Sequence, residues 1–194
     1  MSKVIFDISM SLDGYITAKN PRPEGGMGMG EEGDVLHEWA FKSEDPRNEE
    51  MLGRGASLGA IIAGRNTFDV SIEYWGADGP TGSARVPLVV ITHKHPQELP
   101  DKHIYTFVDN VKAAANKAKE IAGEKDVAVM GGADIARQFL NADLLDEISI
   151  HIGPVLFGSG TRLFTEFDGK HIHLETLEVV NTKEAVHVRF RVVK

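Results

Sequence analysis

Cysteine is missing from this chain of 194 residues. Without cysteine there are no disulfides, thiolate metal ligands, iron–sulfur clusters or cysteine nucleophiles. Basic residues are also scarce, since 21 Lys and Arg stand against 29 Asp and Glu and the formal net charge is -8. A nucleic-acid binder needs a basic face that displaces counterions from the phosphate backbone, so the charge balance argues against nucleic acid as a partner.

Long apolar segments are missing too. No window of about 18 apolar residues occurs, so no membrane span is expected. Asp7 interrupts the apolar residues near the amino terminus, which is unlike a secretory signal, and a cytoplasmic location is predicted. The rest of the composition, 42% hydrophobic and 26% charged, is typical of a globular protein, and the length predicts a single domain over residues 1–194.

Short apolar segments bounded by turn residues recur and are typical of buried strands. In the first two thirds of the chain the predicted strands are residues 4–10, 60–63, 87–92, 104–108 and 127–130. Segments with helical spacing lie between several of them, most clearly at 111–122, where Asp109 is the predicted amino-terminal cap. This alternation predicts a largely parallel sheet covered by helices.

The pattern changes after a helix that starts near Ala133. Residues 144–156, 172–180 and 186–193 are predicted to be strands, with no segment of helical length between the last two. The last strand alternates polar and apolar residues, as antiparallel strands with one solvated face do. The predicted fold class is therefore α/β, with a central mixed, mostly parallel sheet and an antiparallel C-terminal hairpin.

A glycine-rich segment, residues 20–34, precedes a short predicted helix at 35–42. It is too rich in glycine for a helix, and loops of this length often act as lids, although a plain connector is the alternative. Within it, residues 28–33 match the G-x-G-x-x-G pattern of dinucleotide-binding proteins. No strand precedes the match and it contains two glutamates, so we reject that interpretation.

Three predicted strands end in residues suited to an anion. The three segments are Gly64-Arg65-Asn66-Thr67-Phe68, Thr92-His93-Lys94-His95 and Gly131-Gly132-Ala133-Asp134-Ile135. Glycines let a ligand approach the backbone, hydroxyl and cationic groups bind phosphate, and helix amino termini attract negative charge. Arg65 has the alternative of pairing with Asp69. Because the carboxyl ends of parallel strands meet at one edge of a sheet, the three segments together predict a site for a phosphorylated cofactor.

The first and third of these segments, together with three further segments, resemble the dihydrofolate reductase-like superfamily, and specifically the C-terminal reductase domain of the riboflavin-biosynthesis deaminase/reductase family. The further segments are Ser9-Met10-Ser11-Leu12-Asp13-Gly14-Tyr15-Ile16, Leu144-Leu145-Asp146-Glu147 and Pro154-Val155-Leu156-Phe157-Gly158-Ser159-Gly160. The resemblance covers nearly the whole chain. It implies a three-layer dihydrofolate reductase-like fold, NADPH bound across the carboxyl edge of the sheet, a small-molecule substrate and a homodimer.

The resemblance also implies roles for individual residues. The implied cofactor contacts are Gly64, Arg65 and Thr67 at an adenosine-side phosphate, Thr92, His93 and Lys94 near the 2'-phosphate, Gly131, Gly132, Ala133 and Ile135 at the pyrophosphate, and Ser9 and Ile16 near the nicotinamide. The catalytic candidates are Asp13, Asp34 and Glu38. Asp13 would lie beside the substrate or serve only as a turn residue, while Asp34 or Glu38 would protonate a C=N nitrogen as hydride arrives.

Two positions depart from the family pattern. Lys usually follows the Leu-Asp-Gly turn and Glu usually precedes the Gly-Gly pair, whereas Tyr15 and Met130 stand there in this chain. Both changes remove a polar group expected to contact a ribosylated pyrimidine. The sequence therefore predicts an NADPH-dependent reductase of a small heterocyclic or carbonyl substrate, similar to 5-amino-6-(5-phosphoribosylamino)uracil reductase. A dihydrofolate or pteridine reductase and a non-catalytic nucleotide-binding dimer are the alternatives.

A metal-dependent hydrolase is a further class to weigh, because histidines occur in two His-x-His pairs at 93–95 and 171–173, with His151 besides. Alternate residues of a strand face the same side and would share an ion. No His-Glu-x-x-His motif occurs and both pairs lie near predicted loops, so no metal site is predicted.

Overall fold

The computed structural model describes residues 2–21, 30, 32–165 and 171–194. The strands are β1 (Val4–Ser11), β2 (Tyr15–Thr17), β3 (Ala60–Gly64), β4 (Leu88–Ile91), β5 (Tyr105–Val108), β6 (Val127–Met130), β7 (Glu147–Gly153), β8 (Thr161–Arg162), β9 (Leu174–Asn181) and β10 (Val186–Val192). The α-helices are α1 (Glu38–Phe41), α2 (Pro46–Ala56), α3 (Arg65–Trp75), α4 (Val111–Ala122) and α5 (Ala133–Asn141). Short 3-10 helices span Gly33–His37 and Gly82–Ala84.

Eight strands form one sheet in the order β5-β4-β3-β6-β1-β7-β10-β9. Neighbours from β5 to β7 are parallel, whereas β10 runs antiparallel to both β7 and β9. The predicted mixed, mostly parallel sheet with an antiparallel C-terminal hairpin is confirmed. The small pair of β2 and β8 was not predicted, because strands of three and two residues are too short for a periodic pattern.

Helices cover both faces of the sheet, which gives three layers. The alanines of α4 pack with Ile62 and Val129 on one face, together with α5. Ala63, the neighbour of Ile62, points to the opposite face and packs with Phe68 of α3. At the other end of that second face, Trp39 of α1 packs with residues of α2 and of the turn between β9 and β10.

One helix cap differs from the prediction, and one helix was not predicted. Asn110, and not Asp109, caps α4: the Asn110 side-chain oxygen accepts from the Ala113 N–H at 2.8 Å. Asp and Asn have similar preferences for this position, so the sequence alone does not separate neighbours of these two types. Helix α2 was not predicted, although Asp45 caps it and Pro46 occupies its first turn, the arrangement that proline favours.

The glycine-rich segment lies mostly outside the described residues, since residues 22–29 and 31 are not among them. The lid predicted there, and most of the rejected glycine motif, therefore also lie outside them. The helix predicted at 35–42 is present as the 3-10 helix Gly33–His37 continued by α1. This helical segment packs against β1 and β7 at the carboxyl edge of the sheet.

Candidate functional site

The register of β1 and β6 predicts a crevice at the carboxyl edge of the sheet, where the two strands separate. The two strands pair as far as Asp7 and Met130. Beyond that pair β6 ends, while β1 continues to Ser11 along β7. In open α/β sheets, ligands bind at such points outside the carboxyl ends of the strands.

Two helix amino termini lie side by side at this edge and interlock through glycines. A Cβ atom placed on Gly131 would lie 2.8 Å from Oγ1 of Thr67, in the first turn of α3. Reciprocally, a Cβ on Gly64 would lie 2.8 Å from Cγ1 of Ile135, in the first turn of α5. Such short contacts leave no room for a side chain at either glycine, so the predicted cofactor residues at these positions are brought together.

The first N–H groups of both helices are free of side-chain caps, because Gly64 and Gly132 occupy the cap positions. Gly131 and Gly132 both have positive φ angles, 63° and 44°. This conformation turns the backbone after β6 sharply into α5, and few residues other than glycine adopt it without strain. Uncapped N–H groups at the positive ends of two helix dipoles form a favourable site for phosphate.

Arg65 connects α3 to the loop after β4. Its guanidinium donates to the Lys94 backbone oxygen at 2.5 Å and to Thr92 Oγ1 at 3.3 Å. It also pairs with Asp69 at 2.6 Å, the alternative that the sequence left open. Thr92 is buried, whereas His93 and Lys94 are exposed. Arg65 therefore holds this loop in place, while the two exposed side chains can meet a ligand.

The turn after β1 is fixed by Asp13. The carboxylate accepts hydrogen bonds from Ser11 Oγ at 2.6 Å and from the N–H groups of Phe157 and Gly158 at 3.1 and 2.7 Å. The Ser11 hydrogen bond, with these backbone donors, lowers the pKa of Asp13 to about 2. An ionised and fully bound carboxylate positions the turn against the 157–158 loop. A contact of Asp13 with the substrate stays a prediction.

The other predicted residues of this region occupy different surroundings. Ile16 is buried. Glu38 forms an ion pair with Lys42 at 2.9 Å on the surface of α1. Asp34 lies exposed in the first turn of the 3-10 helix. Ser9 is buried and accepts a hydrogen bond from Trp39 Nε1 at 3.0 Å.

A buried polar cluster beneath Trp39 was not predicted. His151 Nδ1 and His187 Nδ1 lie 2.6 Å apart, and His187 Nε2 lies 2.7 Å from Asn48 Oδ1. On the opposite side, His151 Nε2 lies 3.4 Å from Asp7 Oδ1. One signal in the sequence points to this cluster, because Asp7 interrupts an apolar strand. The alternation of the last strand pointed the other way: it predicted a solvated polar face, whereas His187 on that face is 4% exposed and Val186 on the other face is 36% exposed.

Within the described part of the chain, no three His, Asp or Glu side chains come close enough together to hold a metal ion. None of the helices in this part of the chain combines the length and the apolar character that a membrane span requires.

The comparisons with known proteins agree with this architecture. A family model described as the RibD C-terminal domain matches residues 2–188. The chain is similar to the uncharacterized protein YyaP of Bacillus subtilis (strain 168), with 28% identity over 187 residues that cover 93% of this chain and 88% of the relative.

Two solved structures have a similar fold. A protein from Shewanella sp. PV-4, assigned to riboflavin biosynthesis, superposes with a TM-score of 0.69 and 22% identity over 100% of both chains. Dihydrofolate reductase from Enterococcus faecalis, in complex with NADP(H), gives a TM-score of 0.60 and 15% identity over 99% of this chain and 97% of that chain. These likenesses show a dihydrofolate reductase-like fold, and the family model, which matches residues 2–188, shows that the chain belongs to the RibD C-terminal domain family.

Proposed function

We propose that this protein is an NADPH-dependent reductase that acts on a small heterocyclic or carbonyl substrate. The observation that carries the proposal is the pair of uncapped helix amino termini, locked together by Gly131 against Thr67 and by Gly64 against Ile135. This arrangement lies at the crevice where β1 and β6 separate. A site with a glycine-lined backbone and two helix dipoles suits the pyrophosphate of a dinucleotide.

The residues present fit NADPH as the cofactor. Backbone groups of Gly131, Gly132, Ala133 and Ile135 would hold the pyrophosphate, with Gly64, Arg65 and Thr67 at the adenosine-side phosphate. In a chain of net charge -8, the exposed His93 and Lys94 beside buried Thr92 would bind a 2'-phosphate. Ser9, Asp13 and Ile16 would border the nicotinamide end. When bound, NADPH supplies a hydride, and the protein supplies orientation, exclusion of water and a proton.

Membership of the RibD C-terminal domain family favours a pyrimidine substrate such as 5-amino-6-(5-phosphoribosylamino)uracil. Tyr15 stands where the family pattern has lysine, so its surroundings bear on this assignment. Its ring packs 4.9 Å from the Arg162 guanidinium and its hydroxyl donates to the Gly158 oxygen at 3.3 Å. Arg162 thus places a cation close to the position where the family pattern has lysine. Asp34 and Glu38 stay candidates for the proton donor, and a cytoplasmic location stays a prediction.

A homodimer is part of the proposal. Apolar side chains of β9 and β10 stay exposed on the face of the hairpin that continues the α4 and α5 side of the sheet: Leu174 is 44%, Leu177 37%, Val179 61% and Val186 36% exposed. Contiguous apolar surface of this kind is typical of protein interfaces. A second copy of the chain would cover it.

Fluorescence titration with NADPH tests the cofactor assignment. Binding with a Kd below about 100 µM is expected, within the usual range for cofactors and substrates. NADH should bind more weakly, because it lacks the 2'-phosphate. The absence of NADPH binding at that concentration would refute the proposal.

Consumption of NADPH in the presence of 5-amino-6-(5-phosphoribosylamino)uracil, dihydrofolate or a pteridine then identifies the substrate class. Turnover of the uracil derivative supports the family substrate, while turnover of dihydrofolate alone supports the first alternative. NADPH binding without turnover of any of these compounds would favour the non-catalytic nucleotide-binding dimer.

A further inference from the structure

The buried histidine pair belongs to a polar cluster that runs from Asn48 in the protein interior to Asp7 at the surface. His151 and His187 are opposite each other in the register of β7 and β10, so both rings lie on the same face of the sheet. Both residues are 4% exposed and Asn48 is 2% exposed, whereas the Asp7 side chain is 45% exposed. The cluster therefore has one end in the core and one end at solvent.

The hydrogen bonds fix most protons in this cluster. The Asn48 amide nitrogen donates to Ser43 Oγ at 2.8 Å and to Glu184 Oε2 at 3.0 Å, which leaves the Asn48 oxygen as an acceptor. His187 must therefore donate from Nε2 to Asn48. Burial, with the nearby charge of His151, lowers the pKa of His187 to about 4, so its ring carries one proton at neutral pH and Nδ1 is an acceptor.

The same reasoning extends to His151. Because His187 Nδ1 accepts, His151 must donate from its own Nδ1 across the 2.6 Å contact. His151 Nε2 then faces the carboxylate of Asp7, which has no proton of its own to donate when ionised. The contact is attractive only if one further proton lies on Nε2 or on Asp7. The neutral His187 ring thus requires the Asp7–His151 pair to hold one exchangeable proton.

Trp39 shields the pair from water. Its indole ring lies with its centroid 4.2 Å from that of His151 and 5.0 Å from that of His187. The hydrogen bond from Nε1 to Ser9 Oγ fixes the indole orientation. An indole face also stabilises a positively charged imidazole, which favours placement of the extra proton on His151.

Further charged or titratable groups on the neighbouring elements face the cluster. They are His37 on the 3-10 helix, Asp45 and Arg54 at α2, Glu178 on β9, Glu184 before β10 and Arg189 on β10. Arg54 pairs with Glu178 at 2.7 Å and Arg189 pairs with Glu147 at 2.5 Å, so both guanidinium groups are balanced. Burial lowers the pKa of His37 to about 4, which leaves that ring neutral. Asp7 is the carboxylate in contact with His151.

Burial alone would raise the pKa of Asp7, but the charge and hydrogen bond of His151 leave that pKa below its ordinary value, so Asp7 is ionised and the extra proton lies on His151. We propose that the Asp7 carboxylate passes this proton to the substrate of the reductase site, and that His151 and His187 are positioning residues that hold and orient the proton behind it. This inference rests on the proposed reductase function. Asp7 and Met130 form the last register pair before β1 and β6 separate. The side chain of Asp7 lies on the face of the sheet opposite α4 and α5. By contrast, Glu38 is paired with Lys42 on the surface.

The chemistry balances with one proton. The substrate carbon of a C=N or C=O bond accepts a hydride from the reduced nicotinamide, which leaves oxidised. The electron pair of the double bond moves to nitrogen or oxygen, which takes the proton of the Asp7–His151 pair. Solvent then returns one proton through the exposed side of the Asp7 carboxyl group.

Nitrogen-15 NMR of the histidine rings tests the proton inventory in the protein without any ligand. At about pH 7, carboxyl groups are ordinarily ionised. We expect His187 to be neutral, with its proton on Nε2, and His151 to carry protons on both ring nitrogens. Asp7→Asn should convert His151 to a singly protonated ring. The matched control Asp143→Asn changes an exposed aspartate and should leave both spectra unchanged. A singly protonated His151 in the unmodified protein would overturn the inference. So would a His151 ring whose protonation state is the same in Asp7→Asn as in the unmodified protein.

Kinetics with NADPH and 5-amino-6-(5-phosphoribosylamino)uracil test the donor role. Loss of a general acid should lower kcat by about 100-fold or more for Asp7→Asn. NADPH affinity and KM should stay close to those of the unmodified protein, and Asp7→Glu, which keeps a carboxyl group, should recover part of the rate. In the unmodified protein kcat should fall at high pH, where the donor loses its proton. This basic limb of the pH profile of kcat should disappear in Asp7→Asn.

A fall in kcat below threefold for Asp7→Asn would overturn the inference, as would loss of the basic limb in Asp34→Asn or Glu38→Gln instead. These outcomes are separate from failure of the proposed function. A protein that does not bind NADPH refutes the reductase assignment, while the NMR result for His151 decides the proton inventory in either case.

Discussion

Gly131 packs against Thr67, and this contact sets how closely α3 and α5 approach at the carboxyl edge of the sheet. A Cβ on Gly131 would lie 2.8 Å from Thr67 Oγ1, and the φ angle of Gly131 is 63°. Gly131→Ala should therefore separate the two helix amino termini and also strain the backbone. We expect NADPH affinity to fall about tenfold or more, which corresponds to about 1.4 kcal/mol or more, measured by fluorescence titration.

Gly123→Ala is the matched control for this change. Gly123 has a similar φ angle, 60°, but a Cβ there would meet no atom within 4 Å. Because its ψ angle is -117°, outside the left-handed helical region, Gly123→Ala should lower stability by about 1 to 3 kcal/mol through backbone strain alone. It should leave NADPH affinity unchanged. Adding Thr67→Ala to Gly131→Ala removes the clashing atoms and should restore part of the affinity. Equal losses of affinity for Gly123→Ala and Gly131→Ala would contradict a specific role of the glycine contact.

Lys94 offers a test of cofactor preference. Its backbone oxygen is held by Arg65, so Lys94→Gln should change the side chain without displacing the loop. Loss of a charged partner for the 2'-phosphate should weaken NADPH binding by about tenfold and leave NADH binding unchanged. The exposed Lys112 of α4 provides the control Lys112→Gln. If both variants lower NADPH affinity equally, the effect would come from net charge and not from a local contact.

Glu147 shows how burial changes the value of an ion pair. Its side chain is 2% exposed and contacts Lys3 at 2.6 Å and Arg189 at 2.5 Å. Glu147→Gln removes the charge that compensates Arg189 inside the sheet and should lower the free energy of unfolding by about 3 kcal/mol. Glu175 pairs with Arg191 at the surface, and Glu175→Gln should change stability by less than about 1 kcal/mol. Urea denaturation measures both, and similar losses would show that burial is not decisive here.

Val179 tests the proposed dimer. It is 61% exposed on the apolar face of β9, so a lysine there should be tolerated in the monomer and should disrupt burial of this face by a second copy. Val179→Lys is expected to convert a dimer into a monomer in light scattering, with little change in stability. Glu175→Lys, on the opposite face of the same strand, is the control. An unmodified protein that is already monomeric would remove the dimer from the proposal.

The fold was predictable because apolar residues recur with a different spacing in strands and in helices. The buried strands and α4 have apolar patterns that are long enough to recognise. Strands β2 and β8 were missed because they are short, and α2 was missed because it lacks a strong apolar stripe. The approach of the two helix amino termini was also predictable, since Gly64 and Gly131 belong to local motifs at strand ends. The His151–His187 pair was not, because 36 residues separate the two rings and only the register of β7 and β10 brings them together.

Acid stability provides a test of His187. Burial lowers its pKa to about 4, below the ordinary value of 6.5, so the unfolded chain takes up a proton at higher pH than the folded protein does. The contribution of His187 to stability is therefore complete above about pH 6.5 and is lost as the pH falls towards about 4. We expect a loss of about 2 to 3 kcal/mol over this window from His187. His37, whose pKa burial also lowers to about 4, should add to it.

Urea denaturation between about pH 7 and about pH 4 measures this dependence. His187→Gln should remove roughly half of the slope over that window, because His37 retains its own contribution. The exposed His173 gives the control His173→Gln, which should leave the slope unchanged. The slope, and not the stability at one pH, is the quantity to compare, because His187→Gln also alters the hydrogen bond to Asn48. A stability that does not change over this window in the unmodified protein would show that His187 accepts a proton in the folded state as readily as in the unfolded chain.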